Sequence, residues 1–248
     1  MIKTYKSYAV LLRSTSLGNN EYIFTFFTKE NGLVKVFIPN TFNYKIKDYT
    51  LLKVHLKKRR SFSEILDISI ITNFKYLEPK TIKNKSAFYL SQLLFSKYFL
   101  YLNHTEQYLV FDIFVYYLNK LDKTINSKVP LIIIRGLLHL ICLGGFAPEM
   151  SFCDFSNEFI GQKTSTLKEK IYFSFENGEI TKKPNKYKKG SILTSLKIRL
   201  LQILITNINY HRNFVIFSLL LEPFLYTIFD FVNYKFEKYI GVSVYFKK

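Results

Sequence analysis

Apolar and polar residues alternate along the first third of the chain, and apolar residues recur at helical spacing over much of the rest. Residues 5–12 (YKSYAVLL) predict a first strand. A turn follows at Leu17-Gly18-Asn19-Asn20, whose residues tolerate positive φ. The aromatic and β-branched run YIFTFFT (22–28) predicts a second strand. Glu30-Asn31-Gly32 is a hairpin signal leading into LVKVFI (33–38), which Pro39-Asn40 ends. After the loop TFNYKIKDY comes TLLKVHLK (50–57), the cleanest alternation in the chain. It puts Leu52, Val54 and Leu56 on one face and Lys53, His55 and Lys57 on the other. Lys58-Arg59-Arg60 form a basic turn before SEILDISI (63–70), the fifth strand. Five short strands predict a small closed barrel. An OB-fold and a five-stranded SH3-like barrel both fit, because periodicity does not give strand order.

Beyond Glu78-Pro79-Lys80 the pattern changes to helical. Ser86 is the expected cap of a helix over AFYLSQLLFSKYFLYL, and Thr105 of the next, in which Phe111, Phe114, Val115, Leu118 and Leu121 repeat at helical spacing. The stretch VPLIIIRGLLHLICLGGFAPEMSFC (129–153) predicts an apolar helix. Pro130 falls in its first turn, and Gly144-Gly145 end it. Residues 151–189 are polar and lysine-rich, with a hairpin signal at Glu176-Asn177-Gly178. Residues 191–209 and 213–239 are helical in pattern, the second interrupted by Pro223. The expected fold class is α+β. A barrel domain occupies 1–78, and a helical domain runs from 79 to 150. A polar insertion covers 151–189, and the helical domain resumes over 190–248.

The run from Phe214 to Val232 is long enough to span a bilayer but holds Glu222, Pro223 and Asp230, and the helix at 130–143 is short and holds Arg135. Lys3, Lys6 and Ser7 interrupt the N-terminal segment where a signal peptide needs an apolar core. The expectation is a cytoplasmic protein with no membrane partner. Two cysteines agree with a reducing compartment.

Charge changes the picture. The chain of 248 residues carries a net +18. Residues 1–85 hold sixteen basic and six acidic side chains, residues 86–150 five and four, and residues 151–248 fifteen and eight. The excess lies on either side of a nearly neutral helical middle. Lysine outnumbers arginine 30 to 6, as an AT-rich genome gives, but such bias does not favour lysine over glutamate. A positive field of this size attracts polyanions. The candidate nucleic-acid-binding residues are Lys35, Tyr44, Lys45, Lys47, Lys53, His55, Lys57, Lys58, Arg59 and Arg60, cations interleaved with stacking surfaces. The bland alternative is a solvated strand face on which lysines block aggregation. Lys182, Lys183, Lys186, Lys188 and Lys189 form a secondary basic patch suited to nonspecific phosphate contact.

The common phosphate-binding, zinc-protease and serine-hydrolase signatures are absent, and the four histidines have no paired spacing. His139, in an apolar helix, reads as a core or interface histidine. No catalytic residues, cofactor or metal are expected. Cys153 has no cysteine partner at zinc-site spacing, and Cys142 lies on the apolar helix.

Two segments resemble the RecO family of bacterial recombination mediators. Residues 5–37 carry Val10-Leu11, Glu21, Phe27-Thr28 and Gly32 in the order of that family's OB domain. LLHLICLGGFAPEMSFC (137–153) resembles its LLxxLGYxPxLxxC helix end. The order of barrel, helices, polar insertion and terminal helices also matches. The chain departs from the family at Ile38-Pro39-Asn40-Thr41, where a basic KGxR segment is common. It departs again at its end, VSVYFKK, and in keeping only Cys153 of a four-cysteine zinc site. The resemblance implies a non-enzymatic DNA-binding mediator that anneals complementary single strands and assists recombinase loading onto DNA coated by single-stranded-DNA-binding protein. The implied partners are single- and double-stranded DNA, RecR and the acidic C-terminal tail of the single-stranded-DNA-binding protein. Arg135 is a candidate receiver of that tail's carboxylate, or else a structural arginine. An OB-fold RNA- or ribosome-associated factor and a protein-interaction scaffold remain the alternative readings.

Overall fold

The computed structural model describes residues 4–40, 46–59, 62–95, 102–145, 170–176, 178, 180–181, 190–194, 227–228, 230–232 and 234–235. The chain divides into two compact units, Met1–Val129 and Pro130–Lys248.

In the first unit β1 (Thr4–Gly18), β2 (Glu21–Thr28), β3 (Gly32–Ile38), β4 (Leu51–Lys57) and β5 (Ser63–Thr72) form a closed barrel in the order β1-β2-β3-β5-β4, and β4 closes back on β1. All pairings are antiparallel except β3 with β5, which run parallel with Val36 opposite Ser63 and Phe37 opposite Glu64. That order and that single parallel join are the OB-fold arrangement, which resolves the ambiguity left by periodicity. Ala9, Leu11, Phe24, Phe26, Val36, Ile38, Leu52, Val54, Leu56 and Ile68 fill the interior. The β1–β2 turn uses positive φ at Gly18, Asn19 and Asn20, as its composition predicts.

Among the described residues two α-helices follow the barrel in this unit. The first, α1 (Ile82–Leu94), is capped by Thr81, whose hydroxyl accepts from the Asn84 N–H at 3.1 Å. The expected cap, Ser86, lies one turn inside and donates to the Ile82 carbonyl. Thr81 wins because it directly follows the Pro79-Lys80 turn, whereas Ser86 satisfies its hydroxyl within the helix. The second, α2 (His104–Lys123), begins at Asn103 rather than Thr105. Asn103 Oδ1 accepts from the Glu106 N–H, and the Glu106 carboxylate accepts from the Asn103 N–H. This reciprocal capping box satisfies donors that Thr105, already in the first turn, leaves open. Phe111, Phe114, Leu118 and Leu121 are buried as the helical spacing predicts.

The two helices seal one part of the barrel wall. Phe27, on the outer side of β2, packs its ring 5.6 Å from Phe111 and 6.0 Å from Phe114. Lys29 reaches Asp112 at 2.7 Å. Tyr49, at φ 65°, donates its N–H to the Leu11 carbonyl and shares a hydrogen bond with Ser91 on α1. Asp122, at the end of α2, accepts from the Tyr76 N–H, and its carbonyl accepts from Lys83.

In the second unit α3 (Val129–Leu143) has Pro130 in its first turn and ends at Gly145, at φ 73°. The polar insertion supplies β6 (Lys170–Ser174) and β7 (Ile180–Thr181), which join β8 (Gly190–Thr194), just beyond it, in a three-stranded antiparallel sheet of order β7-β6-β8. The hairpin signal at 176–178 falls between β6 and β7. Residues 191–194, expected to open a helix, form β8 instead. Ile192 is exposed and Leu193 buried, a period of two that pairing with β6 selects. Phe173 and Phe175 pack on Phe231, and the Lys235 ammonium donates to the Glu176 carbonyl at 2.6 Å. The described residues within 227–235 are helical, as the pattern predicts. The rest of 195–226, with Pro223, lies outside the described residues.

Candidate nucleic-acid interface

The barrel's register decides which predicted cations stand together. Leu52, Val54 and Leu56 face the interior, so Lys53, His55 and Lys57 face outward. On the β1 side Tyr8 lies opposite Lys53, Lys6 opposite His55 and Thr4 opposite Lys57. On the β5 side the partners are Ser69, Asp67 and Glu64 in the same order. The result is an outer face on which Lys6, Lys53 and His55 neighbour Tyr8, itself 48% exposed, while Lys57 lies farther along, opposite Thr4. Lys6 and Lys53 are exposed diagonal neighbours, about 7–8 Å apart in an antiparallel pair. Among the described residues neither takes part in an ion pair. A flat aromatic beside mobile cations can stack a base while the ammonium groups take its phosphates.

The turn after β4 extends this face. Lys58 and Arg59 are exposed. The Arg59 guanidinium is not open, however. Its Nε and Nη2 donate to the two oxygens of Glu64 at 2.9 and 3.0 Å, and Lys57 Nζ lies 3.7 Å from the same carboxylate. Arg59 thereby holds the Glu64 carboxyl below the usual range, with Lys57 adding to the effect.

Other predicted residues lie elsewhere. Lys35, on β3, is opposite Thr25, which in turn is opposite Arg13. Lys35 therefore belongs to the β1–β2–β3 wall with Arg13, not to the β1–β4 face. Lys47 is exposed but precedes β4, at the end away from Arg59, about 20 Å along the strand by its rise. Tyr44, Lys45, Arg60 and the patch at Lys182, Lys183, Lys186, Lys188 and Lys189 lie outside the described residues. Arg135 is buried, 5% exposed, within α3. His139, one turn on, is half-buried. Burial pushes its pKa down, and the Arg135 charge pushes it further. Among the described residues no group of three His, Cys, Asp or Glu side chains comes together as a metal site. Lys6 and Tyr8 join the site without a signal of their own, because only the β1–β4 pairing brings them in.

No protein-family model matches the chain. It is similar to an uncharacterized 24.3 kDa protein in the hemA-psbN intergenic region of Cyanophora paradoxa, with 31% identity over 184 residues, 72% of this chain and 87% of that protein. The DNA repair protein RecO of Thermosynechococcus vestitus is 24% identical over 188 residues, covering 73% of this chain and 66% of that one. The DNA repair protein RecO of Acaryochloris marina is 25% identical over 180 residues, covering 70% and 60%. The RecO matches agree with one another over about 70% of this chain. The chain is a distant member of the RecO family. It spans about 60–66% of the length of these RecO relatives.

One helical stretch among the described residues, Asn126–Leu143, is long and apolar enough to cross a bilayer. A 3-10 turn at Asn126–Lys128 lengthens α3 to that size, and 56% of the stretch is buried inside the protein. A buried core helix meets the same length and composition.

Proposed function

We propose that this chain is a non-enzymatic DNA-binding mediator of DNA repair and recombination. It binds single- and double-stranded DNA on the outer β1–β4 face of its barrel. It anneals complementary strands and assists recombinase loading onto DNA coated by single-stranded-DNA-binding protein. The observation that carries this reading is the register that sets Lys6, Lys53 and His55 beside exposed Tyr8, with Lys57 farther along the same face, on an OB barrel. RecO-family membership supports the repair context. Cations on this face lower the repulsion between two phosphate backbones, the barrier that annealing must cross. RecR and the acidic tail of the single-stranded-DNA-binding protein are the protein partners. Arg135 serves that tail only if the tail's carboxylate displaces what covers the guanidinium. The working compartment is the cytoplasm, at the nucleoid.

The test follows binding to a fluorescent single-stranded oligonucleotide across a salt series, with annealing of its complement in the same buffer. Binding that weakens steeply with salt, accelerated annealing and intact strands are the expected results. Absence of binding at low salt overturns the reading. Matched DNA and RNA competitors separate it from an RNA-directed OB-fold factor.

A further inference from the structure

The Arg59–Glu64 pair limits the interface just described, and the inference rests on that DNA-binding reading. Arg59 is in the β4–β5 turn, at the end of the basic face. Its guanidinium presents a planar fork that suits a carboxylate and a phosphate equally. That fork is engaged by Glu64 through two parallel hydrogen bonds of 2.9 and 3.0 Å. Glu64 is held from both sides by the barrel. It lies opposite Lys57 in the β4–β5 ladder and opposite Phe37 in the parallel β3–β5 join. The Glu64 backbone is thus fixed where its carboxylate reaches the fork. Both side chains remain solvent-accessible, 46% for Arg59 and 44% for Glu64, so an incoming anion can compete for the fork without opening the core.

We propose that Glu64 is a built-in phosphate mimic. It occupies the Arg59 fork in the free protein and must yield that fork to a DNA phosphate, so it sets an upper limit on the affinity of the barrel for a strand. Lys57, 3.7 Å from the same carboxylate, is restrained to a lesser degree. A protein that brings two strands together has to release the product, and an internal competitor keeps strand binding exchangeable. Asp67, opposite His55, is the comparison residue. It is also an exposed acid on β5, but no guanidinium fork is engaged with it among the described residues.

The experiment compares wild-type, E64Q, R59Q, R59Q/E64Q and D67N full-length chains in the single-strand salt series. Freeing the fork adds one phosphate contact. E64Q is expected to tighten binding about three- to five-fold at 0.1 M salt and to steepen the salt slope by about 0.7. In the R59Q background the same Glu64 change is expected to alter affinity less than about two-fold, as the cycle requires if the gain passes through Arg59. D67N, which removes the same charge, is expected to stay within about two-fold of wild type. An E64Q chain that binds no tighter than wild type overturns the proposal, as does a gain that survives loss of Arg59 or one that D67N matches. A wild-type chain that binds no DNA overturns the DNA-binding reading instead, and that result is read before any variant is compared.

Discussion

Lys6 and Lys53 give the sharpest test of the basic face. They sit on adjacent strands as diagonal neighbours, both exposed and neither in an ion pair among the described residues. If each neutralises one phosphate of a bound strand, each contributes about 0.7 to the slope of log K against log salt. Replacing both by Gln keeps the aliphatic stems and removes the charges. The slope then falls by about 1.4. At 0.1 M salt each contact accounts for about a five-fold change in affinity, so the pair accounts for about 25-fold, or about 1.9 kcal/mol. The control is K123Q. Lys123 is also exposed but lies in the last turn of α2, not on β1 or β4. The assay is fluorescence anisotropy of a labelled single strand from low to moderate salt, with thermal unfolding recorded for each variant. Folded K6Q/K53Q with a wild-type slope refutes the placement of DNA on this face. Equal loss in K123Q shows that only net charge matters.

Three further outcomes follow from the structure. Asn103→Ala removes the side chain that accepts from the Glu106 N–H, and chemical denaturation should show a loss of about 1 kcal/mol, while Thr105→Ala should change little. Gly32→Ala puts a side chain at φ 62° and directly against Gln107 on α2, and a loss of about 1–3 kcal/mol is expected in the same assay. His139 is held neutral in the fold with its pKa below the usual 6.5, so its contribution to stability is present above that value and is lost as pH falls through it. Unfolding midpoints should drop between pH 7.5 and pH 5.5, and His139→Leu should flatten that drop.

The sequence made the barrel legible where one strand's own pattern suffices. The alternation of Leu52, Val54 and Leu56 with Lys53, His55 and Lys57 is visible in six residues, and the structure places each as the period requires. Features set by long-range pairing were not legible. Charge and period group Lys35 with the β4 cations, yet strand order puts β5 on one side of β3 and β2 on the other. Glu64 stands seven residues from Lys57 in sequence, and only the β4–β5 ladder makes it a partner of both Lys57 and Arg59. Helix starts failed for a local reason. More than one hydroxyl or amide residue stands near each helix start, and the one that caps is decided by which backbone N–H it can reach. β8 failed because Ser191–Thr194 is too short for periods of 2 and 3.6 to be told apart.

The outward side of β1 shows how one strand assigns two duties to the barrel wall. Val10 faces away from the barrel core and lies opposite Phe27; both are buried, Phe27 beneath the Phe111 and Phe114 rings of α2. Two and four residues earlier, Tyr8 and Lys6 face the same outward direction and are exposed. No backbone change separates them, since the β1–β4 ladder runs unbroken from Thr4 to Val10. The side chains alone decide the outcome. Apolar outward residues recruit helices, because covering them removes hydrocarbon from water. Lysine and tyrosine do not drive that burial, so this end of the wall stays open. The exposed Tyr8 is also what separates the face from an ordinary lysine-protected strand, since solubility alone calls for no large ring there. Tyr8→Ala should therefore weaken single-strand binding with little change in salt slope, because stacking is lost and no phosphate contact is. A change of slope without a change of affinity would place the ring outside the path of the bases.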